Sequence, residues 1–438
     1  MPYKLLFVTL DALITDIAWQ CSKEGHDVLM YIDNKEEDDI GDGLINKTKD
    51  WKQNIDWADV IIFDDVLGQG KVAHELRQQG KAVVGGTEYT DRLEDDRNFG
   101  QDEIEKHGIE VIPYEQFSDF DEAIRYVKEH PMAYVIKPSG EAQNIKRLLF
   151  VGQEEDGSDV ARILASYKDI WADEIDIFQL QQKVIGVEVA VGAFFNGNQF
   201  VYPININFEN KKLCNGGLGP STGEMGTSMF WSEPNVLFNA TLKKFEATLA
   251  KEHYVGYIDI NCIVNEKGIF PLEFTSRFGY PSISIQQESM ITPFGDFLHD
   301  IAHGKITRFK AHKGYQMGAR VVVPPYPYRD KRTFDGYSKN AVVVFKDKNN
   351  TQGVHIEDVK MVDGRWVVCG SSGTALIVAG MGMTMKEAQQ QMYERIENIL
   401  IPNMYYRTDI GNRWFSEHDA LHVWAYLHTT GEVYDDSK

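Results

Sequence analysis

Residues 257–279 read YIDINCIVNEKGIFPLEFTSRFG. Two apolar runs, YIDINCIV and GIFPLEF, flank the polar turn Asn265-Glu266-Lys267-Gly268, which is the pattern of a tight antiparallel hairpin. The hairpin is expected to bring Asp259 and Glu273 to one face. Like charges side by side repel unless a cation lies between them, and Mg²⁺ favours a few carboxylate oxygens together with phosphates. The plainer alternative is two carboxylates on a wet face. Arg277, between Phe274 and Phe278, is placed to clamp a phosphate or carboxylate with both arms of its guanidinium, or else to form a surface ion pair.

Upstream lie three further candidates. Lys137 ends the apolar run AYVIK and precedes Pro138-Ser139-Gly140. A strand-end lysine before a glycine turn can face phosphate oxygens, although many such lysines are simply solvated. Glu188 interrupts the apolar run VEVAVGAFF, where a carboxylate needs a partner or an edge position. Residues 216–226 form a glycine-rich loop.

Farther toward the N-terminus, KLLFVTL, DVLMYI, DVIIF and KAVVGG alternate with helix-like stretches such as VAHELRQQG. That alternation predicts a small parallel α/β domain over residues 1–90. The first strand runs into Thr9-Leu10-Asp11-Ala12-Leu13, without the GxGxxG of a dinucleotide site. IEVIP predicts a strand within residues 91–128, and residues 235–252 predict a helix. Beyond about residue 313, ARVVVPP, NAVVVF, RWVVCG and TALIVAGMG predict a fresh β-rich unit, followed by the helix MKEAQQQMYERIENI.

Composition sets the outer limits. A chain of 438 residues is too long for one core. No apolar run reaches the ~20 residues of a membrane span, and KLLFVTL lacks the cationic flank of a secretory signal. The four cysteines form no CxxC pair, which favours reduced thiols over a metal site and points to the cytoplasm. A formal charge of −21 disfavours nucleic acid as a partner.

PLEFTSRFGYPS resembles the E-F-N-x-R-F-G-D-P-E stretch of the glycinamide ribonucleotide synthetase (phosphoribosylamine–glycine ligase) family. GPSTGEMGT is similar to its G-P-N-T-G-G-M-G loop, and QQKVIGVEVAV to its E-E-F-L-x-G-E-E-A strand pair. The segment from Gly318 to Gly411 resembles its closing domain. The motifs fall in the family's order between about residues 55 and 415. The resemblance implies an α/β protein, α+β overall, with an ATP-grasp fold. It implies a Rossmann-like pre-ATP-grasp domain over 1–114, a mobile lid over 115–187, a catalytic subdomain over 188–312 and a C-terminal β-rich domain over 313–438. It further implies an ATP-dependent carboxylate–amine ligase that forms an amide through an acyl phosphate. The implied small-molecule partners are ATP, an amino acid such as glycine and an amine, bound by a monomer or homodimer.

By position in those motifs, Lys137 holds the α/β-phosphates, and Gln181, Gln182 and Val184 lie along adenine. Glu188 reaches the ribose, and Lys146 the phosphates. Asp259, Glu273 and Thr275 carry Mg²⁺ or Mn²⁺, while Arg277 steadies the phosphoryl group. Lys211, Gly223, Gly226, Arg277 and Gly279 face the substrates, with Lys212 and Arg320 as further candidates for an anionic one.

The departures are specific. Thr275 replaces the family's metal-binding asparagine, with Asn261 a possible substitute. Gln101 replaces a lysine of S-K-x-F-x-K, whose first lysine is Arg97 here. The N-terminal G-G-R-E-H-type phosphate loop is absent, Tyr280 stands at the acid of G-D-P-E, and Glu224 intrudes into the glycine loop. Three readings follow: the family reaction, the same chemistry on a different amine and amino acid, or a nucleotide-binding homologue without turnover.

Overall fold

The computed structural model describes residues 2–139 and 148–429. The chain divides into two compact units, one of residues 1–91, 189–260 and 275–438, the other of residues 92–188 and 261–274.

In the first unit, β1 (Lys4–Thr9), β2 (Asp27–Ile32), β3 (Val60–Phe63) and β4 (Val83–Val84) form the expected parallel sheet, in the order β2-β1-β3-β4. The strands are almost wholly apolar because both faces are covered. Leu5 and Phe7 pack in one cluster with α1 (Thr15–Lys23); Leu6, Val8, Ile61 and Phe63 pack in another with α2 (Gln69–Gln78). From β1 the chain runs to β2 on one side and then crosses to β3 on the other. The carboxyl ends of β1 and β3 therefore flank a topological switch point, the usual ligand crevice of doubly wound sheets. The helix α3 (Glu88–Asp95) ends this region.

The larger sheet holds β9 (Val187–Asn196), β10 (Phe200–Glu209), β13 (Gly226–Ser232), β14 (Val255–Asn265), β16 (Tyr315–Val322), β18 (Val354–Ile356) and β21 (Thr374–Gly382), in the order β14-β9-β10-β13-β16-β21-β18. The strands beyond residue 313 are thus no sheet of their own, since β16 pairs antiparallel with both β13 and β21. NAVVVF contributes only β17 (Val344–Phe345), paired with β22 (Ile399–Leu400); β19 (Val359–Val362) and β20 (Arg365–Val368) make a separate ribbon, as do β11 (Lys212–Cys214) and β12 (Leu218–Ser221).

The single helix expected over 235–252 is broken into α7 (Val236–Ala240), a 3₁₀ turn (Leu242–Phe245) and α8 (Glu246–Lys251). The break is at Thr241, whose φ of −123° and ψ of −97° are non-helical and whose buried hydroxyl donates to the Leu237 carbonyl at 2.6 Å. The remaining helices are α9 (Ser282–Gln287), α10 (Phe294–Ala302), α11 (Lys331–Tyr337), α12 (Met385–Glu397) and α13 (Trp414–Val423).

The second unit is built on β5 (Tyr114–Phe117), β6 (Tyr134–Pro138), β7 (Phe150–Val151) and β8 (Phe178–Gln182), antiparallel in the order β5-β8-β6-β7. IEVIP is not the strand. Ile109 and Ile112 are buried three apart rather than alternately, Pro113 has no N–H for a ladder, and the strand begins at Tyr114. Of the helices α4 (Arg97–Lys106), α5 (Phe120–Glu129) and α6 (Ser158–Trp171), the last two cover one face of the sheet. Ala123, Val127, Val160 and Leu164 meet Tyr134, Ile136, Phe178 and Leu180 there. The end of β14, the two-residue turn Glu266-Lys267 and β15 (Gly268–Thr275) give the expected hairpin.

Candidate functional site

Strand alternation that buries Ile136, Phe178 and Leu180 under the helices sends Lys137, Gln179 and Gln181 to the other face of the second unit's sheet. Lys137 stands opposite Gln179, and Val135 opposite Gln181. Lys137 is only 7% exposed. From Gln179, Nε2 donates to Asn98 Oδ1 at 2.6 Å and to Gln101 Oε1 at 3.2 Å, both on α4.

Gln179 Oε1, Gln181 Nε2, Gln101 Nε2 and Ser139 Oγ are buried without a partner among the described residues. Each such atom costs about 1–3 kcal/mol if it stays unmet. Such a face calls for a ligand that offers both donors and acceptors. Gln179 was not picked out by the sequence reading, although the alternation Phe178-Gln179-Leu180-Gln181 carried the signal. Gln182 and Val184 are half-buried just beyond. Glu188 is half-buried at the start of β9. Lys146 and the acidic tail from Glu432 lie outside the described residues.

Glu273 is exposed on β15. The half-buried guanidinium of Arg97 lies near enough to interact: burial lowers the arginine's pKa and the Glu273 charge opposes that shift. Asp259 and Thr275 belong to the first unit. Asp259 is 3% exposed and packs over Gly192, where an added Cβ would stand 2.7 Å from the Asp259 Cβ. Among the described residues no three His, Cys, Asp or Glu side chains converge on a metal position. A carboxylate pair completed by phosphates, the Mg²⁺ habit, needs no such trio.

In the first unit, Arg277 Nε lies 3.5 Å from Asp65 Oδ1, and both line a narrow cleft with Phe63, Gly86 and Tyr257. Neighbouring Asp64, 1% exposed, accepts from the Thr9 hydroxyl at 2.7 Å and from Tyr280 at 3.5 Å. Burial and the adjoining Asp65 push its carboxyl up to about 7, against the pull of Thr9 and Arg277. The hydroxyl of Ser282 donates to Glu224 at 3.3 Å. Burial, then the nearby Glu209, raise the Glu224 carboxyl well above the ordinary range.

Arg320 is fully engaged. Its guanidinium pairs with Glu357 at 2.6 Å and donates to the Glu224 carbonyl at 2.9 Å, so it is no open anchor for an anion. Lys211 lies 3.3 Å from Glu209. Gly223 faces open space and Gly279 approaches Ser282, whereas a Cβ on Gly226 would collide with the Gly318 carbonyl at 2.5 Å. The need for glycine at 226 is therefore one of close strand packing. Arg407 holds the glycine loop by donating to the Lys212 carbonyl, while Asp409 accepts from the Gly216 amide, each at 2.8 Å.

The family model for the phosphoribosylglycinamide synthetase ATP-grasp (A) domain matches residues 95–283, and that for the C domain of the same synthetase matches residues 316–413. Together they take in well over half of the chain. The chain belongs to the phosphoribosylglycinamide synthetase family. It is an ATP-grasp carbon–nitrogen ligase by that membership. Phosphoribosylamine–glycine ligase of Streptococcus pneumoniae is 26% identical over 359 residues, 80% of this chain and 82% of that one. The enzyme of the same name from Clostridium acetobutylicum is 25% identical over 371 residues, 82% and 85% of the two. The crystal structure of phosphoribosylamine–glycine ligase from Thermotoga maritima superposes with a TM-score of 0.68 at 20% identity, covering 93% of this chain and all of that one. The biotin carboxylase domain of Hydrogenobacter thermophilus 2-oxoglutarate carboxylase, solved with MgADP, ADP and bicarbonate, superposes at 0.61 with 13% identity, covering 97% and 99%. These two likenesses concern the fold. The second α/β unit with its Lys137 face falls within the matched A domain.

Proposed function

We propose that this family member binds ATP on the Lys137–Gln179–Gln181 face and joins an amino acid carboxylate to an amine. The carrying observation is that face itself: a buried lysine among polar atoms that lack partners among the described residues. In this reading Lys137 neutralises the α/β-phosphates, the amides of Gln181 and Gln179 meet the base, and Glu188 the ribose. Glu273 would be a ligand of Mg²⁺, with Asn261 on the same unit; the ion would offset charge on the phosphate oxygens. Arg277 steadies the transferred phosphoryl group, and residues 115–187 act as the lid that keeps water from the acyl phosphate. The carboxylate partner is glycine or a close relative.

The test is ADP release from ATP and Mg²⁺, with glycine and a panel of amines added singly and together. We expect release to require an amine, and Glu273→Gln to remove it while ATP-analogue binding survives. Release indifferent to every carboxylate and amine, or undiminished in Glu273→Gln, would defeat this reading. Arg97 close enough to compete for Glu273 supports a second reading, nucleotide binding without turnover. Tight ATP binding with no ADP under any combination would select it.

A further inference from the structure

The second unit holds a cavity of about 520 Å³ between α5 and α6, on the side of the sheet away from Lys137. Helical periodicity sends Ala123 and Val127 of α5, and Val160 and Leu164 of α6, down onto the strands. The residues one step round each helix, Ile124 and Ala161, are only partly buried. With Val127, Pro131 and Ala165 they give the cavity an apolar wall. Lys128 and Arg162, one from each helix, complete it. Both are exposed, and neither is hydrogen-bonded or ion-paired through its side chain among the described residues. The one acid on the wall, Asp156, accepts from the Ser158 amide at 2.9 Å. That hydrogen bond is the first cause that holds its carboxyl below the usual range, and Arg162 is the last.

A concave, mostly apolar space of this size suits a small molecule rather than a long protein segment. No aromatic side chain among the described residues lines it, so nothing there would stack on a flat base. On a chain of formal charge −21, two cations without partners at one cavity are a local exception. They favour an anionic head, would be left unused by a neutral ligand and would repel a cationic one. We propose that this groove binds a small amphipathic anion, its aliphatic body against Ile124, Val127 and Ala161 and its carboxylate or phosphate head met by Lys128 and Arg162. The site lies apart from the nucleotide face, so both can be filled at once, and it does not depend on the ligase reading.

The test is calorimetric titration of the full chain with hexanoate, octanoate, decanoate and octyl phosphate, all below the concentrations at which they form micelles. Octylamine and octanol are the cationic and neutral controls. We expect the anions to bind and to tighten roughly threefold per added carbon, the worth of a buried methylene. The tighter of octanoate and octyl phosphate identifies the head. The double reversal Lys128→Glu/Arg162→Glu should weaken octanoate by about tenfold or more. Ala165→Leu, which narrows the groove from an exposed position, should weaken it comparably. Both variants should keep the native thermal melt and the native affinity for a non-hydrolysable ATP analogue. Absence of anion binding would overturn the proposal, as would octylamine or octanol binding as tightly as octanoate, or undiminished octanoate affinity in either variant. So would an acidic amphipathic peptide that binds more tightly than octyl phosphate and is lost in the same variants, since the occupant would then be a protein segment.

Discussion

The polar face of the second unit and the acidic crevice of the first both hold buried polar atoms without a partner among the described residues, yet their charges are opposite. Around Lys137 the groups are a cation and neutral amides, from Gln101, Gln179 and Gln181. Around Asp64 they are carboxylates, with Arg277 alongside Asp65. A face of the first kind suits phosphates, and one of the second repels them. The lesson is that burial alone does not set what a face can take; the sign of the buried groups does.

The largest effect should come from Lys137→Ala. Removing a buried phosphate-neutralising group is expected to lower turnover by about 10²–10³-fold, read as ADP release, with the thermal melt of the chain unchanged. Native turnover would break the contrast between the faces. On the opposite side of the same sheet, Leu180 is 1% exposed among Ile136, Phe178 and Val160. Leu180→Ala should cost about 2–5 kcal/mol of stability in that unit, seen as faster amide exchange in β6 and β8 but not in β1 or β3. Equal loosening of both units would mean that they unfold together.

What the sequence made legible was periodic and local. The parallel sheet followed from apolar runs of strand length, and the hairpin from a four-residue polar turn between two of them. Lys137 stood out because a glycine turn follows its strand. What stayed hidden depends on distant partners. Asp64 reads as the mere end of DVIIFDD, and its donors Thr9 and Tyr280 are 55 and 216 residues away. Glu224 looked like an intruder in a glycine loop, and the Ser282 hydroxyl that donates to it is 58 residues on. Arg320 was an open cation in sequence, and only the fold delivers Glu357 to it. The strands after residue 313 looked autonomous because nothing local says which sheet a strand joins.

The same unit holds a buried charge network whose pH response is the next effect in size. His355 Nδ1 meets Asp16 Oδ2 at 2.8 Å, and its Nε2 lies 3.8 Å from Glu288, which Arg395 also engages. Ser284 and Gln287 of α9 add donors to Asp16, each at 3.3 Å, and Lys23 contributes charge. Burial opposes the imidazolium, but Asp16 and then Glu288 outweigh it and hold His355 at about 9, above its ordinary 6.5. A pKa raised on folding stabilises fully below about 6.5, and that contribution is lost as pH rises through about 9. The loss should reach at most about 3 kcal/mol, shared with Asp16. Thermal melts from pH 6 to 10 should fall in that window for the native chain and stay flatter for His355→Gln. Identical slopes would show that the imidazole is neutral throughout.

The smallest effects come from the two donors that reach Asp64, and their difference in length ranks them. The Thr9 hydroxyl is 2.7 Å from Oδ2, within the range of a strong O–H···O bond, while the Tyr280 hydroxyl is 3.5 Å away and beyond it. Thr9→Val keeps the shape and strips a buried carboxylate of its one close side-chain donor, so it should cost about 1–3 kcal/mol near pH 8. Because the carboxyl sits near 7, part of that cost should vanish at pH 6, where a protonated Asp64 can do without the donor. Tyr280→Phe should change stability by less than about 0.5 kcal/mol at either pH. Denaturant melts of both variants at the two pH values test the ranking. A Tyr280→Phe loss as large as that of Thr9→Val would mean that the tyrosine is a principal support of Asp64 and that the acidic face is held from the Arg277–Ser282 segment rather than from β1.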